Sequence, residues 1–233
     1  MNLFLDIETI GSDRADVKSY IASTVKVPGT YKKAESIAKW EAEEKPQAIE
    51  EALQKTGLDG AFGQVAVIGY AFDGGPVNTI HSESELVLLK QFYAVLAKTV
   101  PFQKWYDLTV VGHNVSGFDL RFLFQRHIVN GLKPHPTLMR AVQAKPWETE
   151  KVFDTMVQFA GVGNRISLDK LCLALGVPSP KSEMDGSQVW DYIKQGKVDE
   201  VRKYCAADVE ATRSIFNRMS FLTQILETAN EAA

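Results

Sequence analysis

Four acidic residues of this chain stand where the surrounding apolar pattern calls for core. Asp6 and Glu8 lie in Phe4-Leu-Asp-Ile-Glu-Thr9, Asp119 closes Gly112-His-Asn-Val-Ser-Gly-Phe-Asp119, and Asp208 ends Tyr204-Cys-Ala-Ala-Asp208. Burying an ionised carboxylate costs several kcal/mol unless a charge partner compensates it. No neighbouring Arg or Lys in the sequence pairs obviously with all four. A shared divalent cation compensates better, because hard metals take clustered carboxylate oxygens. Metal-dependent hydrolysis of a phosphodiester is the chemistry such a cluster suggests.

The spacings say how each acid is presented. Asp6 and Glu8 are two apart on a strand, so both point to one face, with Leu3, Leu5 and Ile7 on the other. Val201, Cys205, Asp208, Thr212, Ile215 and Met219 recur at intervals of three and four, which is one helical face, and Asp208 is its only charged member. Tyr204 precedes Asp208 by one turn, so its hydroxyl can project near the same carboxylate. Asp119 opens a helix after a turn in which Gly112 and Gly117 leave room for a ligand to approach. Each feature alone has a plainer account: an exposed strand end, a buried Tyr–Asp pair, a first-turn acid complementing a helix dipole. Their joint occurrence, in order, is what points to a site.

The elements that must position these residues follow from periodicity. A short apolar strand is expected over 2–8, then a polar Lys- and Glu-rich stretch over 11–60, helical over 34–56 with a break at Pro46. Strands are expected over 64–72 and 77–81 around a hairpin at Asp73-Gly-Gly-Pro76, and a helix over 83–98 capped by Ser82. A buried strand over 107–112, a helix over 118–129, a strand over 151–153 and helices over 167–175, 187–194 and 197–228 complete the chain. Asp154-Thr155 and Asp185 read as helix caps, and Gly161-Val-Gly163 is too short to argue as a phosphate loop. The order is that of an α/β fold with a mixed sheet.

Bulk properties bound the reading. At 233 residues, 45% hydrophobic and 24% charged, the chain suits one globular domain with an elaboration. No run is apolar enough to span a bilayer and no signal peptide is expected before Leu3. Cys172 and Cys205 lie in apolar patterns and read as reduced core residues of an intracellular protein. A net charge of −3 does not advertise a polyanionic substrate, yet two bound divalent cations would more than offset it.

In these motifs the chain resembles the tyrosine branch of the DEDD superfamily of 3′→5′ exonucleases. The D-I-E-T, N-x-x-x-F-D and Y-x-x-x-D signatures stand at Asp6 to Thr9, Asn114 to Asp119 and Tyr204 to Asp208. Within that branch it is similar to the bacterial and phage exonucleases related to the proofreading domain of family B polymerases, through residues 167–176 and 181–212. The similarity spans nearly all of 1–233, without an attached polymerase domain.

The resemblance implies a ribonuclease H-like mixed five-stranded sheet flanked by helices, with 11–60 as a helical insertion after the first strand. It implies that Asp6, Glu8, Asp119 and Asp208 hold two Mg²⁺ or Mn²⁺ ions, Asp6 bridging both, and that Tyr204 orients the attacking water. Thr9 and Ile10 would meet the terminal nucleotide, Asn114 and Phe118 would line the strand path, and Lys181 is a candidate phosphate contact. His113 stands near the second motif without the role of a general base. The substrate implied is the 3′ end of single-stranded or frayed nucleic acid, DNA favoured over RNA, in a bacterial or phage-infected cytoplasm, with any replication or recombination partner left open. Tyr31, Lys32, Lys33 and Trp40 could make the insertion a lid or strand clamp, or a plain solvated flap. An exoribonuclease of the same fold and a non-catalytic nucleic-acid-binding module remain as alternatives. A haloacid-dehalogenase-like phosphatase would want an Asp where Glu8 stands.

Overall fold

The computed structural model describes residues 1–101, 104–180 and 184–221. Its frame is a five-stranded mixed sheet of order β3-β2-β1-β4-β5. The strands are β1 (Asn2–Ile10), β2 (Gln64–Phe72), β3 (Asn78–His81), β4 (Thr109–Gly112) and β5 (Val152–Asp154). β1 and β2 are antiparallel, as are β2 and β3, whereas β4 runs parallel to both β1 and β5. The helices are α1 (Ala15–Thr24), α2 (Ala34–Glu43), α3 (Lys45–Lys55), α4 (Glu85–Thr99), α5 (Asp119–Val129), α6 (Pro136–Val142), α7 (Thr155–Ala160), α8 (Leu168–Leu175), α9 (Val189–Lys194) and α10 (Val198–Met219).

β1 separates two packed layers because its side chains alternate. Leu3, Leu5 and Ile7 join Leu88, Phe92, Leu120 and Leu123 of α4 and α5 in the main core. Phe4, on the opposite face, meets Val209 and Phe216 of α10. Asp6 and Glu8 continue that second face toward the C-terminal end of the strand. The strand outruns its expected end at Glu8, since Thr9 and Ile10 still pair with β2 after a bulge between Glu8 and Thr9. Such bulges re-aim side chains locally.

Several boundaries differ from expectation. The break in the 34–56 helix falls at Glu44, and Pro46 then sits in the first turn of α3, where its missing N–H leaves no bond unmade. Ser84, not Ser82, is the residue before α4. α1, α6 and α7 were not expected, being short or without a clear apolar stripe. α10 ends at Met219, and the remainder of the expected 197–228 helix lies almost wholly outside the described residues. Among the described residues no helix is long and apolar enough to cross a membrane.

The 11–60 stretch is a three-helix insertion built into the end of β1. Thr9 Oγ1 donates to the Gly57 carbonyl at 2.7 Å, and the Ser12 amide donates to Thr56 Oγ1 at 2.9 Å. Gly11 is packed so closely that a Cβ there would lie 2.4 Å from the Leu53 carbonyl oxygen. Arg126, buried in α5, donates to the carbonyls of Gly60 and Ala61 and pairs through two nitrogens with Glu85 at 2.7 and 2.9 Å. Trp40, in α2, is buried. Tyr31 donates its hydroxyl to Glu44.

Candidate active site

β1, α5 and α10 bring Asp6, Glu8, Asp119 and Asp208 to one place. Three physical features do it. β4 pairs with β1 only as far as Phe4↔Val111, so the β1 edge beyond is open. Asp119, at the start of α5 after β4, takes that edge: its Oδ1 accepts the Ile7 amide at 3.0 Å. On the other side, Gly69 stands opposite Asp6 in the β1–β2 register. A Cβ at Gly69 would lie 2.7 Å from Cys205 Sγ and 3.0 Å from Val209, so the absent side chain is what lets α10 close onto the sheet.

The loop between β4 and α5 is braced by Asp154. Its carboxylate accepts the amides of Asn114 and Ser116, each at 2.9 Å, and caps α7 through the amides of Met156 and Val157. Asp154 is therefore the cap that its place at a strand end suggests, and in addition a brace of this loop. Asn114 adopts a φ of +60°, a left-handed conformation that Asn tolerates better than most residues. The space expected for a ligand at Gly112 and Gly117 is instead filled by the protein: a Cβ would meet Val115 at 2.4 Å and Asn114 Oδ1 at 2.5 Å respectively. His113 is held between Thr155 Oγ1 and the Ile166 carbonyl, away from the acids' chemistry.

The electrostatics of the cluster are those of uncompensated negative charge. Burial, followed by repulsion from Glu8, Asp119 and Asp208, holds Asp6 well above the ordinary carboxylate range. Burial and the charges of Asp208 and Asp119 do the same to Glu8. Burial raises Asp119 to about 7, although its own amide and that of Ile7 oppose the shift. Asp208 is also raised to about 7 by burial, with the Tyr204 hydroxyl pulling the other way and Asp169 adding repulsion. Tyr204 itself is pushed upward by burial and by Asp208, Glu8 and Asp6, so it stays a phenol and a hydrogen-bond donor. Among the described residues no Lys or Arg forms an ion pair with any of the four acids.

That donor set fits hard divalent cations, which replace mutual repulsion with a common attraction. Ligand atoms of Asp6, Glu8 and Cys205 all lie within 4.8 Å of one another. Cys205 is the residue that sequence reasoning passed over: its Sγ is 3.3 Å from Asp6 Oδ2. Its place between Tyr204 and Asp208 was the available signal. Cys172 and Cys205 are both free thiols.

Two clefts bear on the site, one reaching Asp208 and one starting at Thr9, the residue after Glu8. One, of about 680 Å³, is lined by Tyr204 and Asp208 together with Ser167, Asp169, Ser179 and Asp185. Asp185 caps a short 3-10 turn before α9 through the Ser187 amide. The other, of about 520 Å³, runs from Thr9 and Ile10 to Gln54, Lys55 and Leu58 of the insertion and Trp190 of α9. Phe118 is half-buried, its ring tilted by 42° against Phe122 at a centroid distance of 5.3 Å, at the edge of the main core. Lys181 lies outside the described residues.

Residues 64–233 match a family model described as a predicted 3′-5′ exonuclease related to the exonuclease domain of PolB. The chain belongs to that family. The structure of the family B DNA polymerase from the hyperthermophilic archaeon Pyrobaculum calidifontis is similar in fold, with a TM-score of 0.55 at 16% identity. That match covers 94% of this chain but 24% of the polymerase, so the likeness concerns about a quarter of the larger protein. No curated protein matches the chain. The mixed five-stranded α/β architecture expected from sequence is present, and it is similar to that of a family B polymerase exonuclease domain.

Proposed function

We propose that this family member is a two-metal-ion 3′→5′ exonuclease acting on the 3′ end of single-stranded or frayed DNA, as a single domain over 1–233. One observation carries the reading: four carboxylates, Glu8 and Asp119 buried and Asp6 and Asp208 half-buried, converge from β1, α5 and α10, and among the described residues no Lys or Arg pairs with them. Asp6, Glu8, Asp119 and Asp208 would hold two Mg²⁺ or Mn²⁺ ions. Such ions, when bound, activate water and stabilise the charge on attacking and leaving oxygens of an in-line displacement.

The chain's own groups do the positioning. Tyr204 is a neutral phenol beside Asp208 and orients the attacking water through its O–H, without the basicity to remove a proton. Asp119, fixed to the Ile7 amide, keeps the α5 side of the site in register with β1. Thr9 and Ile10 line the cleft next to Glu8, where the terminal nucleotide would rest, with Asn114 and Phe118 along the strand path. Attack of water on phosphorus and departure of the 3′-oxygen releases a nucleoside 5′-monophosphate and leaves a strand one residue shorter.

Digestion of 5′-labelled single-stranded DNA and RNA, with Mg²⁺, Mn²⁺ or EDTA, tests this reading beside Asp6→Ala and Asp208→Ala. A metal-dependent ladder shortening from the 3′ end, absent in both variants, supports it and chooses the sugar. Intact substrate in every lane with strand binding retained would make the protein a binding module instead.

A further inference from the structure

We propose that Cys205 is a positioning residue whose thiol holds the Asp6 carboxylate in its metal-binding orientation. The proposal rests on the metal-site reading given above and extends it to a residue outside the four acids and Tyr204.

Cys205 lies on the sheet-facing stripe of α10, one residue past Tyr204 and three before Asp208, and is fully buried. Its sulfur is 3.3 Å from Asp6 Oδ2 and 3.6 Å from the Asp6 carbonyl oxygen. Both partners are acceptors, so the S–H can serve either, and the carboxylate is the nearer and the charged one. The fold also makes room for this sulfur. Gly69, opposite Asp6, would strike it with any Cβ, so β2 has no side chain at the point where the thiol reaches β1.

Asp6 needs such a restraint. It shares its face with Glu8 and is repelled by Glu8, Asp119 and Asp208. Before a cation arrives, the low-energy response of an aspartate so placed is to rotate away from its neighbours. A donor anchored on α10 opposes that rotation and ties Asp6 to the helix that carries Asp208. Preorganising a ligand in this way raises metal affinity without the thiol itself being a ligand.

The test is Mn²⁺ binding in the absence of nucleic acid, by electron paramagnetic resonance of free Mn²⁺, on wild type, Cys205→Ser and Cys205→Ala. Thermal unfolding in EDTA confirms that each is folded. Serine keeps a donor and alanine keeps only the small volume. The expected result is affinity within about threefold of wild type for Cys205→Ser and a loss of roughly tenfold or more for Cys205→Ala, the weight of one hydrogen bond to a charged group. Equal affinities for wild type and Cys205→Ala, or equal losses for both variants, would reduce Cys205 to packing and leave the metal site standing. Failure of the wild type to bind Mn²⁺ at all would overturn the metal-site reading and this proposal with it.

Discussion

The Ile7 amide and the Asp119 carboxylate, 112 positions apart in sequence, meet at 3.0 Å. This one bond joins the strand that carries Asp6 and Glu8 to the helix that carries Asp119. It uses a backbone donor left over because β4 stops short of the end of β1. Asp119 is therefore oriented by the sheet itself, and its carboxylate reaches the cluster already bonded on one oxygen.

Removing one acid should separate catalysis from stability. Asp208→Asn is expected to abolish metal-dependent digestion, by on the order of a thousandfold or more, since a ligand to the catalytic charge is lost. The same change relieves repulsion, so the metal-free variant should unfold at a higher temperature than wild type at pH 8. Calorimetry in EDTA and the labelled-strand assay check the two halves.

The pH dependence of metal-free stability has a definite sign. Asp119 and Asp208 are raised from 3.8 to about 7 in the folded chain. The native state thus favours their protonated forms, and their contribution is complete below about pH 4 and lost as pH rises through about 7. His113, His127 and His135 are held low by burial and act in the opposite direction below about pH 6.5. The informative quantity is the difference between wild type and Asp208→Asn, which should grow from pH 5 to pH 8. Saturating Mg²⁺ should shrink that difference at pH 8; urea titrations at fixed pH measure it.

Tyr204→Phe should keep the ring and lose the water-orienting hydroxyl. Turnover is expected to fall by about 10–100-fold with Mn²⁺ affinity little changed. Single-turnover digestion and Mn²⁺ titration on the same preparation check this, and an equal fall in both would place the hydroxyl in metal binding instead.

Arg126 anchors the insertion. Arg126→Met leaves Glu85 buried without its cation and frees the carbonyls of Gly60 and Ala61, at an expected cost of about 3–5 kcal/mol. Adding Glu85→Leu should recover part of the loss, because an apolar pair no longer strands a charge. Chemical denaturation of the two variants and wild type gives the answer.

Gly69→Ala should push α10 off the sheet. The added methyl would lie 2.7 Å from Cys205 Sγ and 3.2 Å from the Cys205 carbonyl oxygen, and the backbone contact cannot rotate away. Overpacking of this kind costs about 1–3 kcal/mol. Mn²⁺ affinity should fall as well, since Asp6 and Asp208 are moved apart; Leu173→Ala, on the exposed side of α8, serves as a control that leaves both unchanged.

The succession of elements along the chain and the acids of the candidate site were legible in the sequence because both are written in local periodicity. Alternation along β1 put Asp6 and Glu8 on one face, and spacing of three and four along α10 put Asp208 in its buried stripe. Long apolar segments gave their elements to within about two residues. The short helices α1, α6 and α7 carried too little pattern to be seen, and Asp154 could be read as a cap but not as the brace of the Asn114 loop.

What the sequence by itself determined was which side chains must leave water and which acids they take along, since that depends on composition and period alone. Only the tertiary structure decided what surrounds them. Cys205 became a partner of Asp6 because Gly69 lies opposite in the β1–β2 register; Gly112 and Gly117 make room for Val115 and Asn114 rather than for a ligand. The insertion came to line the Thr9–Ile10 cleft because Gly57, Thr56 and Arg126 tie its end to the strand end and to α5. These outcomes depend on contacts between residues tens to more than a hundred positions apart, and such contacts are set by how the layers close, which no local pattern encodes.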